Sequence, residues 1–140
     1  MESMSKIEAV LFDLDGTLLD SFPDFLASLE NINIKSSSKK IDESIVRANV
    51  SDGSSKLLKL VFDIDTDDDG FDEHKRNFLN EYEKNILMYG NLFLGVSDLL
   101  NFLLDKKIPY GIVTNKPRKY TEIILKKSSL LRQSKVVICC

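Results

Sequence analysis

A chain of 140 residues, 43% hydrophobic and 29% charged, has the make-up of one soluble domain or a small domain with an insertion. Its 19 basic and 22 acidic residues leave a formal charge of −3 with no clustered basic face, which argues against nucleic acid as a partner. No apolar run approaches the ~20 residues of a membrane helix and no signal-peptide region opens the chain, so a cytoplasmic protein with no membrane partner is expected.

The first predicted element is a short apolar strand over 8–12, rich in residues that suit a buried parallel sheet. From Ser21 the period changes: Phe22, Phe25, Leu26 and Leu29 fall on one face of a helix. A polar, serine- and lysine-rich connector follows over 34–40. Residues 41–49 and 54–64 predict two further helices, parted by the turn-forming pair Asp52-Gly53. The longest helical pattern covers 71–89, with Phe71, Phe78, Leu79, Tyr82 and Ile86 along one stripe. After Gly95, the positions of Val96, Leu99, Leu100 and Leu103 predict another helix.

The period then drops to that of a strand over 109–114. Pro117 opens a helix whose apolar face carries Tyr120, Ile123 and Ile124, since proline suits the first helical position. A third strand is predicted over 136–140. Its last residues, Cys139 and Cys140, are adjacent and have no metal-type spacing, so they read as small hydrophobes, with no disulfide framework and no zinc site. No internal repeat is visible.

Strands alternating with helices predict an α/β fold: a parallel sheet of about three strands, covered on both faces. A crossover between parallel strands needs about a dozen residues. The gap between Thr17 and Ile108 is far longer. The surplus reads as an inserted all-helical cap, giving a partial α/β core at 1–20 and 90–140 and a cap at 21–89. Inserted there, the cap overhangs the carboxyl ends of the strands, where open α/β sheets bind ligands.

The stretch VLFDLDGTLL, residues 10–19, is where chemistry is expected. Residues two apart on a strand point to the same side, ~6–7 Å apart, so Asp13 and Asp15 are expected to face one small ligand. Gly16 permits a sharp turn, and Thr17 adds a hydroxyl. Two carboxylates beside an apolar strand need compensation, either by Mg²⁺, which prefers hard oxygens, or by a proton held on one of them. Nucleophilic catalysis on phosphate uses both: one carboxylate attacks phosphorus and the other exchanges a proton.

Phe12-Asp13-Leu14-Asp15-Gly16-Thr17-Leu18 resembles the first motif of the haloacid dehalogenase-like hydrolases. More narrowly, DLDGTLLDSFPD at 13–24 and IVTNKP at 112–117 are similar to the phosphoglycolate phosphatase branch, whose members carry a helical cap in this position. The resemblance implies a Rossmann-like sheet, with Asp13 as nucleophile and magnesium ligand. It implies Asp15 as general acid/base, lending its carbonyl to the metal, and Thr114 as the phosphoryl holder. A hydroxyl at Thr114, the Asn115 amide and the N–H groups of the following helix make a phosphate site, to which Gly16 and Thr17 are also assigned. Lys116 reads as a solvated lysine rather than a charge aimed at substrate, and Asp20 and Ser21 receive no chemistry.

Other signals are weaker. Asp65-Thr66-Asp67-Asp68-Asp69-Gly70 begins like a calcium loop, but its twelfth position is Arg76 where a bidentate glutamate is needed, so it reads as a solvated acidic turn. His74 has no partner histidine and reads as an exposed helix residue. No nucleotide-binding glycine loop is present.

In the resembled family a third motif supplies a lysine and a fourth supplies acids for the metal, both after the third strand. Lys126, Lys127 and Lys135 precede that strand and cannot take the lysine's place. The chain therefore reads as a front half, truncated after the third core strand, with weak Mg²⁺ binding and slight turnover expected. The leading expectation is a Mg²⁺-dependent phosphatase acting on a small phosphorylated metabolite such as a phosphoglycolate-like compound. The alternatives are a phosphomutase or phosphonatase relative, or a non-catalytic fragment serving as an interaction or phospho-acceptor module. A receiver domain fits less well, since its aspartate follows a later strand. Oligomeric state is not legible.

Overall fold

The computed structural model describes residues 6–36 and 40–140. Three strands, β1 (Val10–Phe12), β4 (Tyr110–Val113) and β5 (Val137–Ile138), form a parallel sheet in the order β1-β4-β5. Phe12 is opposite Ile112, and Ile112 opposite Val137. Two short strands, β2 (Leu19–Asp20) and β3 (Asn91–Leu92), pair antiparallel with Leu19 opposite Leu92. This ribbon was not expected, because two-residue strands are too short to display a period.

Between β2 and β3 run four helices: α1 (Phe22–Ser36), α2 (Glu43–Asn49), α3 (Ser54–Phe62) and α4 (Phe71–Asn85). α1 takes in the first part of the expected connector, while residues 37–39 of it lie outside the described residues. α2 starts later than expected because Asp42 caps it, its carboxylate accepting the Ser44 N–H at 2.9 Å. The helices share an apolar core in which Val46, Leu57, Leu58 and Phe78 are fully buried. Phe25 stacks on Tyr82 at 4.3 Å between ring centroids, with Phe78 at 5.8 Å from Phe25.

α4 stops at Asn85, short of the expected 71–89, and a buried carboxylate explains why. Asp24 accepts the N–H groups of Leu87 at 2.8 Å and of Tyr89 and Gly90 at 2.9 Å each. Those donors are turned away from a helical ladder, and Leu87 takes a left-handed φ of 56°. Gly90 is required here: a Cβ would come within 2.7 Å of the Asp20 carbonyl oxygen and of the Asp24 carboxylate. Asp24 thereby fastens the first turn of α1 to the chain leaving α4, where both meet the β2–β3 ribbon.

α5 (Val96–Asp105) precedes β4 and α6 (Arg118–Lys127) follows it. Their buried residues, Val96, Leu100, Leu103, Tyr120 and Ile124, join Tyr110 and Ile112 in the core. The opposite face of the sheet is bare among the described residues: Leu11 is 62% and Ile138 55% exposed, with Val113 and Val136 also exposed. Parallel sheets are ordinarily buried on both faces. The expectation of two covered faces is therefore corrected, since the crossover helices dress only one side. The strands are also shorter than predicted, β1 beginning at Val10 and β5 ending at Ile138. Among the described residues, no helix is long and apolar enough to cross a membrane.

Candidate active site

β1 ends at Phe12, so the two acids sit in the turn after the strand rather than on it. The turn winds around the Leu14 carbonyl, which accepts the N–H groups of Leu18 at 3.0 Å and Leu19 at 2.9 Å. Gly16, at φ 82°, donates its own N–H to the Leu19 carbonyl at 2.9 Å. The consequence is a division of environments. Asp13 is exposed at the strand tip, whereas Asp15 is buried at 5% exposure. Thr17 is exposed beside them.

Burial of Asp15 is made tolerable by Lys116. The ammonium lies 2.9 Å from Asp15 Oδ2, and both side chains are almost wholly buried. Lys116 Nζ also donates to the Tyr82 hydroxyl at 2.9 Å, and sits 5.1 Å and 4.7 Å from the ring centres of Phe25 and Tyr82. An ammonium over aromatic faces recovers part of its lost hydration. This corrects the reading of Lys116 as solvated: it is the cation that compensates one of the two acids. Burial, with the Asp15 and Asp24 carboxylates nearby, pushes the Tyr82 phenol well above its ordinary value, so the hydroxyl stays protonated.

The other oxygen of Asp15 is different. Oδ1 is buried and has no hydrogen-bond donor among the described residues. Unsatisfied buried acceptors are uncommon and mark places where a ligand or proton belongs. Asp15 lines a cavity of about 160 Å³ between the sheet tips and the helices, with Asn115 and Lys116 on the sheet side and Phe25 and Leu79 on the helical side.

Thr114 follows β4, is buried, and donates its N–H to the Ile138 carbonyl at 2.9 Å. Its Oγ1 accepts the Lys116 N–H at 3.1 Å, which leaves the hydroxyl proton free for a ligand. Lys116 therefore joins Thr114 and Asp15: its backbone binds one and its side chain the other. Asn115 is exposed and gives its side-chain amide to the Ser51 carbonyl at 2.8 Å.

Ser51, in a short helical turn at Val50–Asp52, is the contact that the sequence did not betray. Its hydroxyl donates to the Asp15 carbonyl at 2.8 Å, and a Cβ on Gly16 would come within 2.8 Å of that hydroxyl. One residue of the helical insert thus rests on both the acidic turn and the Thr-Asn-Lys segment. Nothing local signals Ser51, Tyr82 or the burial of Lys116, because each acquires its meaning only across the junction.

The donor set suits a magnesium ion in part. The exposed Asp13 carboxylate and the Asp15 carbonyl are hard oxygens at one turn, but among the described residues no three acid, histidine or cysteine side chains gather to hold a metal. The acidic turn at 65–70 behaves as expected of a solvated loop: Asp65 pairs with Lys59, and its N–H bonds Asp68 at 2.6 Å. His74 is half-buried rather than exposed, stacked on Phe62 at 6.2 Å.

A parallel sheet whose first strand runs into Asp-x-Asp-Gly-Thr, under helices inserted after that strand, defines the class of haloacid dehalogenase-like hydrolases. The chain belongs to this family: the family model of that description matches residues 10–140. Over 134 residues it is 33% identical to an N-acetylmuramic acid 6-phosphate phosphatase of Pseudomonas putida, covering 96% of this chain and 60% of that protein. It is 36% identical over 130 residues to a phosphoglycolate phosphatase of Xanthomonas campestris, covering 93% of this chain and 58% of the relative. The chain thus spans about three-fifths of the length of these curated relatives. A crystal structure described as a "predicted phosphoglycolate phosphatase" from Haemophilus somnus superposes with a TM-score of 0.81 at 25% identity, over 98% of this chain and 64% of that one. A haloacid dehalogenase-like hydrolase from Streptococcus pneumoniae shares the fold with a TM-score of 0.78 at 23% identity, over 96% and 61%.

Proposed function

We propose that this chain carries the nucleophile and the phosphate-holding part of a Mg²⁺-dependent phosphatase acting on small phosphomonoesters, with helices α1 to α4 as the cap over its site. The observation that carries this reading is Asp15 Oδ1: a buried acceptor with no donor, on the wall of a cavity lined also by Asn115 and Lys116. The relatives named as phosphatases of N-acetylmuramic acid 6-phosphate and of phosphoglycolate support the substrate class.

The roles follow from environment. Asp13, exposed at the strand tip, attacks phosphorus through a carboxylate oxygen. The P–O bond to the leaving group breaks, and Asp15 passes a proton to the departing oxygen from Oδ1, since Oδ2 is held by Lys116. Water then attacks the aspartyl phosphate, its proton returning to Asp15 as phosphate is released. Thr114 offers its free hydroxyl proton to the phosphoryl group, and Gly16, Thr17 and Asn115 complete the set we assign to phosphate. Asp13 and the Asp15 carbonyl would hold Mg²⁺, whose contribution is to neutralise charge on the phosphoryl oxygens. A small phosphorylated metabolite as partner implies a cytoplasmic setting.

The test is transfer rather than turnover. Incubated with acetyl phosphate and Mg²⁺, the chain is expected to gain one phosphoryl group on Asp13, detected by intact mass and peptide mapping and lost in Asp13→Asn. Absence of the adduct from the unaltered chain, or its persistence in Asp13→Asn, would reject the reading.

A further inference from the structure

Tyr82, on α4, is 2% exposed, and a hydroxyl buried that deeply is unfavourable unless it is bonded. Its partner among the described residues is the Lys116 ammonium, at 2.9 Å. Three other rings hold the tyrosine ring itself. Phe25 stacks on it at 4.3 Å, Phe78 lies at 6.2 Å, and Tyr120 makes a T-shaped contact at 5.7 Å. A phenylalanine would keep all of these ring contacts, so packing alone does not account for the oxygen.

We propose that Tyr82 is a positioning residue: acting through Lys116, its hydroxyl keeps Asp15 Oδ2 paired and Oδ1 free for proton transfer. This rests on the phosphatase reading above and adds to it a residue of α4 that acts on the chemistry through another side chain. The need for it lies in the two groups behind which it stands. A carboxylate turns easily about its last bond, and a half-turn exchanges its two oxygens. A lysine ammonium is a point charge on a flexible four-carbon stem, free by itself to follow either oxygen. The backbone of Lys116 is fixed, its N–H bonding Thr114 Oγ1 at 3.1 Å, but several rotatable bonds separate that anchor from the ammonium. The Tyr82 oxygen supplies a second fixed point. With Nζ 2.9 Å from that oxygen and 2.9 Å from Asp15 Oδ2, the ammonium is bridged between two elements. Asp15 is left with one committed oxygen and one without a donor.

The two halves of the reaction depend on this arrangement unequally. Acetyl phosphate passes its phosphoryl group to Asp13 with acetate as the leaving group, and acetate departs as a stable anion that needs no proton. Hydrolysis of the aspartyl phosphate is different. Water forms a new bond to phosphorus, the bond from phosphorus to the Asp13 oxygen breaks, and the proton of the water passes to Asp15. A general base must lie within hydrogen-bond reach of that water. Misplacement is costly, ~1 Å being worth up to about 100-fold in rate. Loss of the Tyr82 oxygen is therefore expected to slow the second half and spare the first.

Intact mass, followed in Mg²⁺ as the full chain is phosphorylated by acetyl phosphate and again after the reagent is removed, tests this in the unaltered chain, Tyr82→Phe, Asp15→Asn and the double variant. Tyr82→Phe is expected to take up the phosphoryl group at the unaltered rate and to hold it about tenfold longer. Asp15→Asn is expected to hold it at least as long, with no further lengthening in the double variant. A lower urea midpoint in Tyr82→Phe with an unchanged lifetime would reduce Tyr82 to packing and overturn the proposal. So would an effect of Tyr82→Phe that is just as large when Asp15 is already Asn. Both results would leave the phosphoryl acceptor standing. Failure of the unaltered chain to form the adduct would instead overturn the phosphatase reading, and this inference with it.

Discussion

The helical insert and the parallel sheet are closed to different degrees. In the insert, Phe78, Leu57 and Leu58 are fully buried, and Phe25, Phe78 and Tyr82 form one aromatic stack. In the sheet, one face is packed under α5 and α6 while the other presents Leu11 and Ile138 to solvent. The candidate site lies where the finished region meets the half-dressed one. Three of the polar contacts that organise it cross the junction: Ser51 to the Asp15 carbonyl, Asn115 to Ser51, and Lys116 to Tyr82. The difference teaches that the helices between β2 and β3 take part in building the site. They supply the wall against which the strand-tip acids are positioned.

If that is right, the most damaging substitution is at the tie that closes the base of the insert, between the start of α1 and the chain leaving α4. Asp24→Ala removes the acceptor of three backbone N–H groups, and a loss of ~4 kcal/mol or more in urea unfolding is expected. A loss below ~1 kcal/mol would mean the insert needs no such tie. A smaller but still large effect is expected at the shared cation. Lys116→Met strands a buried carboxylate and should cost ~3 kcal/mol, much of it recovered when Asp15→Asn is added. Equal costs in the single and double variants would show that the ion pair does not couple the two regions. The smallest effect belongs to the bare face: Leu11→Lys should change stability by no more than ~0.5 kcal/mol, whereas Phe12→Lys, one residue on and turned to the packed face, should largely unfold the sheet. Similar losses at both positions would show that the outer face is covered after all.

Much of this was legible without coordinates. A short strand leading into Asp13-Leu14-Asp15-Gly16-Thr17, helices from Ser21 and over 41–49, 54–64 and 71–89, and the parallel pairing of β1 with β4 follow from periodicity and local turn chemistry, and the structure places those helices at 22–36, 43–49, 54–62 and 71–85. The misreadings share a cause. α4 was expected to run on because its apolar stripe continues to Ile86, and only the distant Asp24 carboxylate explains its end. Lys116 was read as solvated because lysine usually is, and its burial depends on Asp15, Phe25 and Tyr82, all far away in the chain.

By itself, the order of residues determined the main helices and the three parallel strands, the family resemblance and the two acids after the opening strand, since these depend on neighbours within a few positions. Tertiary structure alone decided which acid is buried, which lysine compensates it, and which face of the sheet is covered. Those outcomes are settled by desolvation and pairing between groups brought together from opposite ends of the chain, and neither quantity has a local signature.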